Sequence, residues 1–163
     1  MNYHNITKDD MLNGDGLRVV LWTAGCTHCC DGCQNPQTWD VAGGLEFDEA
    51  AHDELFEALK PDYVSGITFS GGDPLHPFNR ETVLNLAKEV KEKMPNKTVW
   101  LYTGFLWEDL KCLDLSNIDV LVDGEFKKEL NDNTLQWVGS SNQRIIDVQK
   151  SLKENKIVHH CMP

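Results

Sequence analysis

Three cysteines, Cys26, Cys30 and Cys33, follow one another with the spacing C-x3-C-x2-C. Thiolates so close together suit a cubic iron-sulfur cluster, which normally takes four cysteine ligands. Three ligands would leave one iron open, and metal sites that catalyse reactions tend to keep a coordination position open for a substrate. The absence of a fourth cysteine in this register therefore points to a reactive metal site.

Another cysteine, Cys29, lies among these three and allows other registers. Cys26-x2-Cys29 and Cys30-x2-Cys33 each have the spacing of a zinc knuckle or of a dithiol redox site. A zinc site would use all four sulfurs, or three of them together with His28. The cysteines alone leave the iron-sulfur, zinc and redox alternatives open.

Length and charge restrict the classes of function. The chain has 163 residues, which suits one domain over 1–163 and is well short of the roughly 250 residues of a complete β/α barrel. Its formal net charge of -11 disfavours nucleic acid or an anionic membrane as a partner, because both bind basic surfaces. No apolar run approaches the about 20 residues of a membrane span, and the polar first residues do not resemble a signal peptide. We therefore expect a cytoplasmic protein.

Short β-branched runs alternate with helical patterns along the chain. Strands are predicted over 17–22, 64–69, 98–102, 118–122 and 144–148. Amphipathic spacing predicts helices over 48–59, 79–94 and 107–113. Asn79 is the expected cap of the second helix, and Cys112 is expected to be a small buried side chain in the third. This alternation is typical of an α/β fold in which helices cover parallel strands.

Four segments that follow predicted strands are rich in glycine or in polar side chains. They are the cysteine loop, Ser70-Gly71-Gly72-Asp73, Thr103-Gly104 and Asp123-Gly124. In parallel sheets, ligands bind outside the carboxyl ends of the strands. We therefore expect these four segments to line one edge of the sheet.

The glycine pair in the second of these segments could bind a ligand through its backbone. Gly71 and Gly72 lack a Cβ, so their backbone can approach a ligand closely and offer carbonyls to an ammonium group. Asp73 adds a carboxylate acceptor. A turn of this composition also occurs as a plain connection between a strand and a helix, so the neighbouring cysteine loop gives it its significance.

Taken together, the motifs resemble those of a known family. The cysteine loop and the glycine turn are similar to those of the radical S-adenosylmethionine enzymes. Within that superfamily, the chain resembles the activating proteins of anaerobic ribonucleoside-triphosphate reductase, from about residue 13 to about residue 147. The matching motifs are Asn13-Gly14-Asp15-Gly16, Cys26-x-His28-x-Cys30-x-Gly32-Cys33-x-Asn35-Pro36-x-Thr38-Trp39, Tyr102-Thr103-Gly104, Asp123-Gly124-x-Phe126 and Gly139-Ser140-Ser141-Asn142-Gln143-Arg144.

Two positions depart from the wider superfamily. Gly32 stands before the last cysteine, where many members have an aromatic residue, and this glycine fits the reductase-activating branch. Asp73 stands where the superfamily often has glutamate. The shorter carboxylate would shift the contact with a ligand ammonium group toward the backbone.

The resemblance implies a fold and a site. The fold would be a partial, open parallel β/α barrel of about five strands with covering helices. Cys26, Cys30 and Cys33 would hold a [4Fe-4S] cluster, whose open iron would bind the amino and carboxylate groups of S-adenosylmethionine. The residues in contact with that cofactor would be Gly32, Cys33, Gln34, Asn35, Ser70, Gly71, Gly72, Asp73, Thr103 and Asp123.

The resemblance also implies a reaction. Reduction of the cluster would cleave the sulfonium of S-adenosylmethionine to methionine and a 5′-deoxyadenosyl radical. That radical would take a hydrogen atom from a glycine of the large subunit of the anaerobic reductase, and an electron donor such as a flavodoxin would supply the electron. Cys29 would be a spare thiol, and the open flank of a partial barrel would admit the large partner.

Two other functions remain open at this point. One is the activation of a different glycyl-radical enzyme, such as pyruvate formate-lyase. The other is a non-enzymatic module that binds zinc through Cys26, Cys29, Cys30 and Cys33 and recognises a protein partner.

Two segments near the end of the sequence do not indicate a specific function. His159, His160 and Cys161 carry metal-binding side chains, but a frayed tail is the expected state. Asn142, Gln143 and Arg144 match the late family motif without a role that follows from the residues themselves.

Overall fold

The computed structural model describes residues 1–161. Its strands are β1 (Asn2–Asp10), β2 (Leu17–Thr23), β3 (Leu45–Glu46), β4 (Val64–Gly71), β5 (Thr98–Tyr102), β6 (Val120–Asp123) and β7 (Arg144–Asp147). They form one seven-stranded sheet in the order β3-β1-β2-β4-β5-β6-β7. The helices in these residues are α1 (Glu49–Leu59), α2 (Arg80–Lys93) and α3 (Val148–Glu154). None of them is long and apolar enough to cross a membrane.

The centre of the sheet is parallel and its flanks are antiparallel. Strands β2, β4, β5 and β6 run in one direction, with α1 between β2 and β4 and α2 between β4 and β5. Strand β1 is antiparallel to β2, and β3 is antiparallel to β1. Strands β1 and β3 were not predicted, because β1 has only Ile6 as a buried residue and β3 is exposed.

The last predicted strand is present as β7, but it runs antiparallel to β6 and not parallel as expected. A parallel neighbour needs a crossover, usually through an α-helix. The connection over residues 124–143 instead consists of turns and the short 3-10 helix Lys128–Leu130. The chain therefore returns along the edge of β6 in the opposite direction. The sheet is mixed, and its curvature into a partial barrel stays a prediction.

Helices α1, α2 and α3 cover one face of the sheet. Alternate strand residues share a single apolar core with helix residues, among them Val19, Leu21, Ile67, Phe69, Val99, Leu101, Leu55, Leu59, Val83, Val90 and Val148. The intervening strand residues point to the other face. There Trp100, Val120 and Val122 pack against Trp137 and Val138 from the connection between β6 and β7. The second face is thus covered by loop segments.

A buried arginine lies on this second face. The guanidinium of Arg18 donates hydrogen bonds to Thr68 Oγ1 (2.8 Å), to the Ile67 carbonyl (2.8 Å) and to the Thr98 carbonyl (2.9 Å). Burial lowers the pKa of Arg18 to about 10. Because its acceptors lie on β4 and β5, the side chain joins three neighbouring parallel strands.

Helix α1 and helix α2 lie where the sequence predicted them, but the expected helix over 107–113 does not form. Only Trp107–Asp109 adopts a 3-10 turn. Segments this short do not form a stable helix by themselves, and the Trp107 N–H donates to the carboxylate of Asp123 (2.8 Å). Cys112, which was predicted to be buried, is exposed.

The segment near residue 160 is docked on the sheet, so the prediction of a frayed tail was wrong. The His160 N–H donates to the Ile145 carbonyl (2.9 Å), and its ring nitrogen Nε2 lies 2.7 Å from Asp15 Oδ2. The ring packs edge-on against Trp100, with 5.2 Å between the ring centroids.

Candidate functional site

A small pocket opens at the carboxyl ends of the parallel strands. It encloses about 140 Å³, and Cys26, Cys30 and Cys33 all line it. Other predicted site residues in its lining are Gln34, Asn35, Ser70, Gly71, Gly72, Asp73 and Thr103. Gly124, from the segment after β6, also lines the pocket, so the fold brings together segments that follow four different strands, as expected of this edge.

The cysteine loop follows β2 and is closed at its base by backbone hydrogen bonds. Gly25 N–H donates to the Thr38 carbonyl (2.7 Å), and Cys26 N–H donates to the Trp39 carbonyl (3.1 Å). The loop also joins the glycine turn, because Asp73 N–H donates to the Gly25 carbonyl (2.7 Å). These contacts bring the cysteines close to the end of β4.

The thiols have the donor chemistry that an iron-sulfur cluster requires. Burial raises the pKa of Cys26 to about 11 and also raises the pKa of Cys30. Metal binding at these sulfurs would therefore release protons. Cys33 Sγ accepts a hydrogen bond from the Asn35 N–H (3.3 Å), a contact of the kind that tunes cluster sulfurs.

Cys29 differs from its three neighbours. Its side chain is exposed, its φ is +49°, and it is not part of the pocket lining. Within residues 1–161, no group of three or more His, Cys, Asp or Glu side chains is arranged to hold a single metal ion. In a four-iron cluster the thiolates bind different irons, so their sulfurs need not converge on one point.

Glycine is required at positions 71 and 72 because this turn packs closely against the end of β2 and the cysteine loop. Gly71 has a φ of +98°, and a Cβ there would lie 2.7 Å from the backbone nitrogen of Thr23. A Cβ on Gly72 would lie 2.5 Å from the Gly25 carbonyl oxygen. From the sequence, the approach of a ligand was the predicted reason for these glycines. The fold gives a second reason, which is the close contact between two backbone segments.

Asp73 is buried under the pocket and accepts hydrogen bonds from its own chain. Oδ1 accepts from the Leu75 N–H (2.8 Å) and from the Thr103 hydroxyl (2.9 Å). Oδ2 accepts from the Gly104 N–H (3.0 Å) and lies 2.7 Å from His28 Nε2. The carboxylate and the Thr103 hydroxyl, both predicted to contact a cofactor, are thus engaged with each other.

His28 reaches out of the cysteine loop to two carboxylates. Its Nδ1 lies 2.8 Å from Glu125 Oε1, and its hydrogen bond to Asp73 is the main cause that raises the pKa of the imidazole. The ring packs edge-on against Phe105, with centroids 4.7 Å apart. From its sequence position, His28 was equally compatible with ordering the loop and with a place at the surface, and the structure shows the ordering contacts.

Asn79 also connects the loop with the glycine turn. Its amide nitrogen donates to the carbonyls of Ala24 (2.8 Å) and Asp73 (3.0 Å). Asn79 is the N-cap residue of helix α2, as predicted, but its side chain makes no capping hydrogen bond to the helix. The amide instead satisfies two buried carbonyls beside the cysteine loop.

Asp123 and Gly32 are the predicted site residues that do not line the pocket. Asp123 is fully buried, and its carboxylate accepts hydrogen bonds from Arg144 Nε (2.9 Å) and from the Trp107 N–H. The predicted contact of this carboxylate with a cofactor is therefore corrected to an internal ion pair. Gly32 is exposed, and a Cβ there would lie 3.3 Å from Lys128 Cδ.

The structure shows what the late-motif residues Asn142, Gln143 and Arg144 contact. Arg144 also pairs with Glu108. Its hydrogen bonds to Asp123 and then to Glu108 raise the pKa of the guanidinium, and the pair lowers the pKa of Glu108 to about 2. Asn142 donates to the Glu125 carbonyl (2.8 Å), and Gln143 donates to the Gly124 carbonyl (3.0 Å). These side chains hold the turn after β6 beside the pocket. Sequence reasoning could not identify these roles because the acceptors lie about 17 to 21 residues away.

A larger groove continues from the pocket across the second face of the sheet. It encloses about 530 Å³ and shares Gln34, Asn35, Ser70, Tyr102, Phe126 and Gln143 with the pocket. Met11 and Leu12 lie on its rim and are 70% and 80% exposed. Another cavity, of about 610 Å³, lies at the opposite edge of the strands beside Asp15, Thr98 and His160. We therefore place the candidate site at the pocket and the adjoining groove.

The chain matches a family of cluster-binding proteins. Residues 12–146 match the family model described as a 4Fe-4S single cluster domain. This range contains the cysteine loop and all the segments that line the pocket. The class defined by the fold and the site is thus that of iron-sulfur proteins with one four-iron cluster.

Comparison with curated proteins narrows the class. The chain is 45% identical over 146 residues to the anaerobic ribonucleoside-triphosphate reductase-activating protein of Enterobacteria phage T4, covering 89% of this chain and 93% of that protein. The proteins of the same name from Haemophilus influenzae and Escherichia coli K12 are 41% and 40% identical. These alignments cover 89% and 88% of this chain, and 97% and 96% of the relatives. The chain belongs to the family of anaerobic ribonucleoside-triphosphate reductase-activating proteins.

Proposed function

We propose that this chain activates an anaerobic ribonucleoside-triphosphate reductase, and that it does so as a radical S-adenosylmethionine enzyme. The observation that carries the proposal is the pocket in which Cys26, Cys30 and Cys33 meet the glycine turn at the carboxyl ends of the parallel strands. The names of the relatives support the reductase as the partner. Helices on one face of the sheet support the partial barrel, because a doubly wound sheet has helices on both.

The proposed ligands of the [4Fe-4S] cluster are Cys26, Cys30 and Cys33, with Cys29 outside the set. They fit the cluster because they are three thiols in one pocket, whereas the exposed side chain of Cys29 is not in its lining. When bound, the cluster and S-adenosylmethionine would supply a one-electron cleavage of the sulfonium, the chemistry needed to remove a hydrogen atom from a glycine of the reductase. An external donor such as a flavodoxin would supply the electron.

Other residues of the pocket would bind and orient the S-adenosylmethionine. The backbone carbonyls at Gly71 and Gly72, beside Ser70, would accept hydrogen bonds from its amino group. Gln34 and Asn35 lie at the junction of the pocket and the groove, where they would contact the adenosyl portion. A groove of about 530 Å³ is of the size that binds small molecules. The groove would also keep the nucleoside near the exposed side chains of Met11 and Leu12, from which a macromolecule can approach.

The first experiment tests the chemistry of the cofactor. Protein reconstituted with iron and sulfide without oxygen should contain about four irons per chain and show a broad charge-transfer absorption. With dithionite and S-adenosylmethionine it should form methionine and 5′-deoxyadenosine. Protein that binds one zinc and no iron, or that binds iron without cleaving S-adenosylmethionine, would contradict the proposal.

The partner is tested separately. The reconstituted protein should generate the glycyl-radical doublet in electron paramagnetic resonance spectra when it is mixed with the anaerobic reductase. A doublet that forms with pyruvate formate-lyase and not with the reductase would retain the chemistry but reject the proposed partner.

The rim of the groove provides a prediction about binding of the reductase. Exposed Met11 and Leu12 lie next to the groove, so we expect them to pack against the segment that carries the target glycine. The double variant Met11→Ser/Leu12→Ser should weaken the association by about tenfold or more. Formation of 5′-deoxyadenosine without the reductase should not change. Calorimetric titration with the reductase measures the first effect, and a single-turnover assay measures the second.

Tyr63 provides the matched control for this prediction. It is 63% exposed and directly precedes β4, at the opposite edge of the sheet. Tyr63→Ser should leave the association unchanged. A loss of affinity in Tyr63→Ser but not in the double variant would place the binding surface at the other edge.

A further inference from the structure

The cysteine loop makes one side-chain contact that spans a large distance in the sequence. His28, halfway between Cys26 and Cys30, reaches Asp73 at the end of the glycine turn, with 2.7 Å between Nε2 and Oδ2. The side chain of His28 is 11% exposed, and that of Asp73 is 2% exposed. Charge-assisted hydrogen bonds are strong when they are shielded from water. This contact can therefore hold the loop in place.

The surroundings leave room for the histidine ring and restrict its movement. A Cβ on Gly104 would lie 2.5 Å from His28 Cδ2, so this position accepts no side chain while the ring is present. Phe105 contacts the ring edge-on, and Glu125 faces its other nitrogen. The imidazole is thus held by residues that follow β4, β5 and β6.

The carboxylate of Asp73 has little capacity left for a ligand. A carboxylate offers about four lone-pair sites for hydrogen bonds. Oδ1 receives the Leu75 N–H and the Thr103 hydroxyl, and Oδ2 receives the Gly104 N–H and faces His28. These four groups of the chain occupy the acceptor sites.

We propose that His28 and Asp73 are paired positioning residues, which hold the cysteine loop against the ends of β4 and β5. Asp73 consequently does not bind the ammonium group of a ligand, and that contact falls to the backbone carbonyls of the glycine turn. The proposal deepens the proposed function and rests on it in one respect, namely that the cysteine loop holds the cluster. It assigns the carboxylate of Asp73 to the support of the loop.

The test is a double-mutant cycle on the whole protein with His28→Ala, Asp73→Asn and both together. In cluster-free protein, amide hydrogen exchange over residues 26–34 should become about tenfold faster in each variant. After reconstitution, the rate at which iron is lost should rise by about tenfold or more in each. The double variant should resemble the single ones, because both changes remove the same contact.

Affinity for S-adenosylmethionine distinguishes this role from direct binding. In the cluster-loaded fraction of Asp73→Asn, the dissociation constant should stay within about threefold of the wild-type value. An increase of about tenfold or more with unchanged iron retention would show that Asp73 binds the ligand and would overturn the proposal. Unchanged loop exchange in His28→Ala would also overturn it.

Two further variants keep the test decisive. Gly104→Ala should displace the ring and reproduce the His28→Ala exchange pattern, which covers the case that Asp73→Asn does not fold. Glu125→Gln is the control, because the Glu125 side chain is 50% exposed and should contribute little. Wild-type protein that takes up no iron would reject the proposed function. The hydrogen-exchange measurement on cluster-free protein would still decide whether His28 holds the cysteine loop in place.

Discussion

Serine in place of Cys26, Cys30 or Cys33 should abolish the cluster. The hydroxyl of serine is a poor iron ligand, and two thiolates cannot hold a cube that already lacks one protein ligand. We expect iron content after reconstitution to fall to a small fraction of the wild-type value. Formation of 5′-deoxyadenosine should fall by at least about 100-fold, which is the upper range for losses caused by changes outside the ligand set. Iron analysis and a single-turnover assay measure the two effects.

Cys29→Ser is the matched control, since it changes the same chemical group within the same loop. Cys29 is exposed and does not line the pocket, so this variant should retain both iron and activity. A zinc site built from four sulfurs would lose metal in all four variants. The comparison of Cys29→Ser with Cys30→Ser therefore tests the ligand register at two adjacent positions.

Alanine in place of Gly72 should disrupt the site through the backbone. Its Cβ would lie 2.5 Å from the Gly25 carbonyl oxygen and 2.9 Å from the Thr38 carbonyl oxygen. Both acceptors belong to the base of the cysteine loop, and backbone atoms cannot rotate away as a side chain can. We expect the free energy of unfolding to fall by about 1–3 kcal/mol, the usual cost of overpacking, and the reconstituted iron content to fall with it. Urea unfolding of the cluster-free protein measures the first effect.

Gly43→Ala is the control for this prediction. A Cβ on Gly43 would lie 3.1 Å from the Asp40 carbonyl, a close contact but not an overlap, in a loop outside the pocket. Its unfolding free energy should change by less than about 0.5 kcal/mol, as for ordinary surface positions. Equal losses in the two variants would mean that the contact between the glycine turn and the cysteine loop has no special importance.

The predictions for the cysteines and for Gly72 both depend on the contact between the cysteine loop and the glycine turn. The Asp73 N–H donates to the Gly25 carbonyl (2.7 Å), and the Gly72 N–H donates to the Thr23 carbonyl (2.8 Å). The glycine turn is thus hydrogen-bonded directly to the end of β2 and to the beginning of the cysteine loop. Because the two segments are joined in this way, a change that forces their backbones apart, such as Gly72→Ala, should affect cluster retention and ligand binding together.

Local patterns predicted the parts of the site that are close in sequence. The spacing of Cys26, Cys30 and Cys33 defines the loop because all three lie within eight consecutive residues. Strands β2, β4, β5 and β6 were recognised because buried parallel strands are continuous apolar runs. Their common direction then placed the segments after β2, β4, β5 and β6 at one edge, where they line the pocket.

Tertiary structure decided which atoms those segments present to one another. Asp73 was expected to face a ligand, but His28, 45 residues earlier, and Thr103, 30 residues later, take up its carboxylate. Asp123 was expected in the pocket, but Arg144 holds it inside the fold. A hydrogen-bonding side chain takes the partner that the fold brings within about 3 Å, and residue type and spacing do not encode that choice. The sequence by itself therefore determined where the chemistry is, and the packing of distant loops determined which polar groups remain free to carry it out.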